Sequence, residues 1–105
     1  MIERIWHGWT DPADADEYER RLREEIAQEF ADRDIDGYHG LRLLRREGDS
    51  EVEFVTIMRF ESLDDVRAFA GEEYTEAHVP PEAREVLSRY DDRVNHYEVR
   101  AEIEG

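Results

Sequence analysis

The feature that most restricts the fold is a stripe of apolar residues at every fourth position, directly after a strand-like segment. The stripe consists of Tyr18, Leu22, Ile26 and Phe30. This spacing predicts an amphipathic helix of about five turns. Asp11 followed by Pro12 is typical of a helix start, with Asp11 as the N-cap. Because the stripe must be buried, the remaining segments have to supply a second apolar layer.

The rest of the chain supplies that layer as strands. Alternating patterns predict strands over 2–10, 38–46, 51–61 and 94–103, and residues 47–50 form a hairpin turn. Ser62 and Asp65 form a variant capping box that opens a second helix, which Gly71 ends. The order β-α-β-β-α-(α)-β predicts an α+β fold of the ferredoxin-like type, with helices on one face of an antiparallel sheet. A length of 105 residues suits one domain, 1–105.

Strand alternation assigns side chains to the two faces of this sheet. The face under the helices is predicted to bear Ile5, His7, Trp9, Leu41, Leu43, Phe54 and Met58. The opposite face is predicted to bear Trp6, Leu44, Val55, Ile57, His96 and Glu98. No further helix is predicted to cover this second face. We therefore expect a homodimer, in which a second copy of the sheet covers it and His96 makes an interface hydrogen bond.

Composition excludes several classes of protein. The chain has no cysteine, which excludes disulfides and thiolate chemistry, and no apolar run approaches the length of a membrane span. The net charge is -15, and all 14 basic residues are arginine. This charge argues against nucleic acid and anionic membranes as partners. We expect an acidic, halophilic, cytoplasmic protein whose carboxylates are screened by concentrated salt.

Two histidines and a group of large apolar residues are the candidate site. His7 and His78 are candidate catalytic residues, because an imidazole titrates near neutral pH. The side chains expected to line a cavity for a flat ligand are Trp9, Phe54, Met58, Phe60, Phe69 and Tyr74. The alternative is that these residues form only a hydrophobic core, with His7 as a hydrogen-bonded core residue and His78 as a loop residue in solvent.

Other motifs carry no chemistry. Asp32, Asp34 and Asp36 imitate the first half of a calcium loop, but Leu43 stands at the twelfth position, where calcium needs a bidentate glutamate. The chain has no phosphate loop, no HExxH pair and no G-x-S-x-G elbow. We therefore predict no metal site.

Three segments of the chain resemble the antibiotic biosynthesis monooxygenase-like family. They are the first strand, 2–8, the junction from the third strand into the second helix, 60–71, and the terminal His96-Tyr97-Glu98-Val99. The resemblance implies a dimeric α+β barrel formed by two facing sheets. It also implies either oxidation of aromatic polyketides without metal or flavin, or the binding and breakdown of haem. In haem-degrading members three pocket positions carry Asn, Trp and His, and the corresponding residues here are His7, Phe60 and His78.

The leading hypothesis is a cofactor-independent monooxygenase that acts on a small planar aromatic or enolic compound, with His7 or His78 as the base. A haem-binding or haem-degrading protein with His78 as the iron ligand is one alternative. A dimeric small-ligand-binding protein without turnover is another. The sequence leaves open whether the chain is an enzyme.

Overall fold

A computed structural model describes all residues, 1–105, and contains one antiparallel sheet. Its strands are β1 (Ile2–Thr10), β2 (Tyr38–Glu47), β3 (Val52–Phe60), β4 (Arg89–Tyr90) and β5 (Asn95–Glu98). The strand order is β2-β3-β1-β4, and β5 also pairs with β1. This is the predicted ferredoxin-like arrangement. No helix has the length and apolar character that crossing a membrane requires.

The helices cover one face of this sheet. A long helix follows β1 and consists of a 3-10 turn (Pro12–Asp14), α1 (Ala15–Arg21), a π-helical segment (Leu22–Ile26) and α2 (Ala27–Asp32). After β3 come α3 (Leu63–Ala70) and the short α4 (Pro81–Arg84). The Ser62 hydroxyl accepts a hydrogen bond from the Asp65 amide and caps α3, and Gly71 ends it at φ +89°.

The π-helical segment follows from the spacing of the apolar stripe. In a regular α-helix, residues four apart drift by roughly 40° each turn, so three such steps drift by roughly 120°. A π turn holds one residue more than an α turn and resets this drift. Leu22 and Ile26 at the two ends of the segment consequently both face the sheet and are buried.

Two apolar clusters lie between the helices and the sheet. In the larger one, Tyr18 packs edge-on against Phe54 with ring centroids 4.7 Å apart. The smaller one is built around Met58, Phe60 and Val66, where α3 crosses β3. Phe54 and Phe60 are fully buried, so they belong to the core.

The β2–β3 hairpin confirms the predicted faces, although its register differs. Leu43 pairs with Thr56 instead of Phe54, and Leu41 pairs with Met58. Because the register moves by two residues, each side chain keeps its face. A bulge at His39 breaks this rule: Tyr38 lies beside Phe60 under the helices, and His39 is exposed.

The prediction for β1 is wrong. Trp6 pairs with Thr56, and Arg4 pairs with Met58, so these two side chains lie under the helices. His7 pairs with Val55 on the opposite face. Apolar alternation could not decide between the faces because each carries one tryptophan and one isoleucine. Gly8 shares the helix-covered face with Trp6, and a Cβ there would lie 3.1 Å from Leu87.

The prediction for the last strand is wrong for the same reason. His96 pairs with Arg4, so it lies under the helices and not on the face expected to form the interface. Tyr97 pairs with Glu3 on the opposite face, where it is exposed. We call that opposite side the outer face; it bears Ile5, His7, Trp9, Leu44, Val55, Ile57 and Tyr97.

Candidate functional site

A cavity of about 680 Å³ lies between the helices and the sheet. Ligand pockets for small molecules typically have this size and a mostly apolar lining. Here 14 of the 21 lining residues are hydrophobic. Leu22 and Ile26 of the π-helical segment form part of the wall, and Met58 lies in the floor. The cavity can therefore hold a small, mostly apolar molecule.

The β1 floor of the cavity contributes two polar groups. The Trp6 ring lines the cavity, and its Nε1 donates a 2.8 Å hydrogen bond to the Asp91 carbonyl, which fixes the indole. Arg4 is only 8% exposed and also lines the cavity. Burying a guanidinium is costly unless its N–H donors are hydrogen-bonded and its positive charge is compensated. The groups around Arg4 therefore determine its role.

Arg4 has hydrogen bonds but no acidic partner. Its Nη1 donates to the Tyr74 carbonyl at 2.8 Å and to His96 Nε2 at 2.9 Å. Its guanidinium carbon lies 5.8 Å from the centre of the Phe69 ring. Burial lowers the pKa of Arg4 to about 10, so the side chain stays charged at neutral pH.

His96 is neutral beside this arginine. Burial, and secondarily the charge of Arg4, lower the pKa of His96 to about 4. Because a guanidinium can only donate, Nε2 must be the accepting nitrogen, which leaves the proton on Nδ1. The Tyr74 ring packs edge-on against the imidazole, with centroids 5.1 Å apart.

Two more arginines lie at the edge of the cavity. Arg33 and Arg84 are exposed lining residues, and the guanidinium of Arg33 lies 5.4 Å from the centre of the Phe69 ring. Neither forms an ion pair, although nine of the 14 arginines in the chain do. Glu29 is the one acidic residue in the lining. The cavity is thus positively charged inside a strongly acidic protein.

His78 is the one sequence-predicted catalytic residue that lines the cavity. It lies in the loop before Pro80 and is exposed, so its ring stands where the cavity meets solvent. The backbone there is anchored, because the Ala77 amide donates to the Asp92 carbonyl at 2.9 Å. A histidine at this place can exchange a proton with solvent or coordinate a metal ion of a bound ligand.

His7 and Trp9 lie outside the cavity. Both are on the outer face, where His7 Nδ1 is 3.0 Å from Glu53 Oε2 and the two rings stack. The hydrogen bond from His7 lowers the pKa of Glu53. The guanidinium of Arg89 covers the Trp9 ring at 3.8 Å. The expectation that His7 shares a cavity with Phe54, Met58 or Phe60 is therefore wrong.

The other predicted ligand-binding residues divide into three groups. Met58 and Phe69 line the cavity as expected. Phe54 and Phe60 are core residues beneath it. Tyr74 lies behind the lining and acts on it only through Arg4 and His96.

Sequence reasoning missed Arg4, Trp6 and His96. A usable signal was present, since Gly8 and Thr10 share their face with Arg4 and Trp6, and small residues permit a helix to pack closely. Thr10 is fully buried.

The side chains form no cluster of three or more His, Asp or Glu residues that could hold a metal ion.

Solved structures share this fold over nearly the whole chain. The haem degrader MhuD from Mycobacterium tuberculosis, with two haems bound in its active site, has a TM-score of 0.65 and 21% identity, covering 99% of this chain and all of its own. A point mutant of MhuD with two manganese protoporphyrins per active site has a TM-score of 0.63 and 22% identity, covering 100% of both chains. A Bacillus cereus protein designated an antibiotic biosynthesis monooxygenase has a TM-score of 0.60 and 18% identity, covering 99% of this chain and 94% of its own.

No family model and no curated protein matches the chain. At identities of 18–22%, the likeness establishes the fold. It confirms the predicted ferredoxin-like fold of the single chain.

The residues of the cavity are compatible with haem. The walls are apolar, His78 offers a nitrogen at the edge, and arginines stand where carboxylates could pair with them. The first-strand residue that faces the cavity is Trp6, not His7, and Phe60 is buried beneath the floor. Of the three positions that the resemblance suggested for a haem site, only His78 lies in the cavity.

Proposed function

We propose that the protein is a monooxygenase-like enzyme that oxidises a small, planar, aromatic or enolic compound without a bound metal or flavin. The observation that carries the proposal is the apolar cavity with one solvent-accessible imidazole, His78, and one buried guanidinium, Arg4. This combination suits a ligand that is mostly apolar and becomes anionic on losing a proton. The fold likeness to a protein designated a monooxygenase supports the same reading.

The chemistry is substrate-assisted. His78 accepts a phenolic or enolic proton, and the resulting electron-rich anion reacts with dioxygen. At a methylene carbon, two hydrogens are lost and one oxygen atom is gained, while the second oxygen atom leaves as water. The substrate supplies all the electrons, so no further reductant is needed. The apolar walls keep bulk water from the anion.

A second copy of the chain completes the proposed molecule. The outer face exposes Leu44 to 42% and Tyr97 to 56%, and no helix covers it. Facing sheets would bury these residues as a homodimer and form an α+β barrel, with one cavity outside each sheet. We also propose that this dimer works in a cytoplasm rich in salt, because the net charge of -15 needs screening.

Oxygen uptake with 1,8-dihydroxyanthrone as substrate tests the proposed reaction. Uptake of one dioxygen per anthrone is expected, together with a loss of about a hundredfold or more in His78→Ala. His7→Gln is the matched control, because it changes a histidine on the outer face, and its rate should equal the wild-type rate. Equal rates in His78→Ala and wild type would contradict the role of His78. Binding of the anthrone without uptake would favour a ligand-binding protein without turnover.

Haem binding is the second candidate, favoured by the position of His78 at the cavity edge. His78 would hold the iron, and arginines of the lining would hold the carboxylates. Bound haem would supply an iron centre that activates oxygen. Titration with haem should then give a shifted Soret band that His78→Ala abolishes and His7→Gln keeps. Unshifted spectra would exclude this candidate.

A further inference from the structure

We propose that Arg4, oriented by His96, forms an anion-binding site in the cavity, so that the ligand is a planar aromatic molecule with a negatively charged oxygen. The inference rests on the proposed function and specifies its substrate class. Three observations carry it: the burial of Arg4, the absence of any acid beside it, and the way its hydrogen bonds are arranged.

The first step is the charge balance. The chain has 29 acidic residues and 14 arginines, yet five of the arginines form no ion pair. Arg4, Arg33 and Arg84 all line the cavity, and none forms an ion pair. On the surface, by contrast, Arg20 pairs with Glu17, Glu24 and Glu25. Against these three arginines the lining holds one acidic residue, Glu29, so the cavity has a net positive charge.

The second step is the geometry of Arg4. Both of its hydrogen bonds are made by Nη1, to the Tyr74 carbonyl and to His96 Nε2. These neutral acceptors fix the guanidinium without cancelling its charge. Its remaining donors are left for an oxygen in the cavity. A hydrogen bond between a guanidinium and an anionic oxygen is about twice as strong as a neutral one.

The third step is the position of Phe69. Arg4 and Arg33 both lie within 6 Å of its ring centre, at 5.8 and 5.4 Å. An aromatic ligand that packs on the apolar wall would thus place an anionic oxygen near two guanidinium groups. His96 remains neutral and orients Arg4, so it is a positioning residue.

A pair of fluorescent probes tests the charge preference directly. The probes are 8-anilinonaphthalene-1-sulfonate and N-phenyl-1-naphthylamine, which share the ring system and differ in the sulfonate. Wild-type protein should bind the sulfonate about tenfold more tightly or better. Arg4→Gln, which keeps a donor for the Tyr74 carbonyl, should lose that factor while its affinity for the neutral probe changes less than about twofold.

Two further variants keep the test decisive. Arg4→Lys preserves the charge and should retain a preference for the sulfonate probe. Arg100→Gln removes a charge from an exposed arginine that does not line the cavity, and it should bind both probes as wild type does. Equal loss of both probes in Arg4→Gln and Arg4→Lys, with a lowered melting temperature, would assign Arg4 a structural role and overturn the proposal.

The outcomes also separate this inference from the proposed function. Wild-type protein that binds both probes equally, yet consumes oxygen with the anthrone, would overturn the anion site alone. Wild-type protein that binds neither probe would overturn the site and the proposed function together.

Discussion

Arg4 and His96 take their properties from each other and from their burial. Arginine at position 4 reads in the sequence as a polar residue for solvent or an interface, and His96 reads the same way. Their pairing across β1 and β5 instead places both beneath the helices. There the hydrogen bond between them satisfies a donor of Arg4 and the accepting nitrogen of His96. A single strand pattern could not predict this, because the face of each strand is fixed by its neighbours.

His96 makes stability fall in mild acid. Its pKa is about 4 in the folded protein and 6.5 ordinarily, so the unfolded chain binds the proton first as pH falls. Stability from the neutral ring is therefore complete above pH 6.5 and is lost between 6.5 and about 4. His96→Gln removes this titration.

Urea unfolding at several pH values checks the prediction. The free energy of unfolding should fall less steeply from pH 6.5 to 4 in His96→Gln than in wild type. The groups nearest to the ring are Arg4 and Tyr74, and both are kept in His96→Gln, so the difference between the two proteins reports on His96. Parallel curves for the two proteins would contradict it.

At the scale of elements, the sequence predicted the helices and the hairpin well, and predicted the terminal strands poorly. The helices were predicted from local patterns, the apolar stripe from Tyr18 to Phe30 and the cap at Ser62. Such patterns suffice because the spacing of nearby residues defines an amphipathic helix. β1 and β5 have apolar residues on both faces, so their orientation depends on long-range packing. The same limit applies to the residues that line the cavity. Met58, Phe69 and His78 could be identified from the sequence, whereas Arg4 and Trp6 could not.

The π-helical segment offers a test of how the long helix shapes the cavity. Deleting the exposed Glu24 leaves an apolar spacing that suits a regular α-helix, with the stripe still facing the sheet. We expect the deletion variant to fold with a melting temperature near that of wild type. Affinity for the anilinonaphthalene probe should fall severalfold, because Leu22 and Ile26 shift in the wall.

Circular dichroism during heating and probe titration measure the two effects. If the cavity wall depends on the π turn, the deletion variant should bind the anilinonaphthalene probe more weakly while its melting temperature stays near that of wild type. Unchanged probe affinity would show that the wall does not depend on it.

At the scale of the whole molecule, the outer face and the acidic charge govern assembly. The faces of the two terminal strands were predicted the wrong way round, yet the uncovered face is still apolar, now through Ile5, Val55 and Ile57. The expectation of a homodimer therefore stays a prediction with a corrected set of residues.

Sedimentation equilibrium in molar KCl should give twice the chain mass of 12.5 kDa. Leu44→Glu places a charge on the outer face and should shift the protein to monomer with its circular dichroism spectrum unchanged. Wild type that sediments as a monomer at micromolar concentration would contradict the dimer.

Salt should stabilise the protein well above physiological concentration. The Debye length is about 8 Å at 0.15 M and about 3 Å at 1 M, so repulsion among carboxylates is weaker in strong salt. The melting temperature should rise between dilute buffer and molar KCl. Replacing the exposed Glu72 and Glu73 by glutamine should reduce that rise. An unchanged rise would mean that these carboxylates serve another purpose.

The central claim is that oxidation takes place in the cavity between helices and sheet. Oxygen uptake with 1,8-dihydroxyanthrone in Ala70→Trp tests it most directly, because Ala70 lines the cavity and an indole there would occupy part of the space for the ligand. The matched control is Ala68→Trp, which places the same side chain on the exposed side of α3. Wild type and Ala68→Trp should take up oxygen, and Ala70→Trp should not. Equal uptake by all three proteins, or none by wild type, would contradict it.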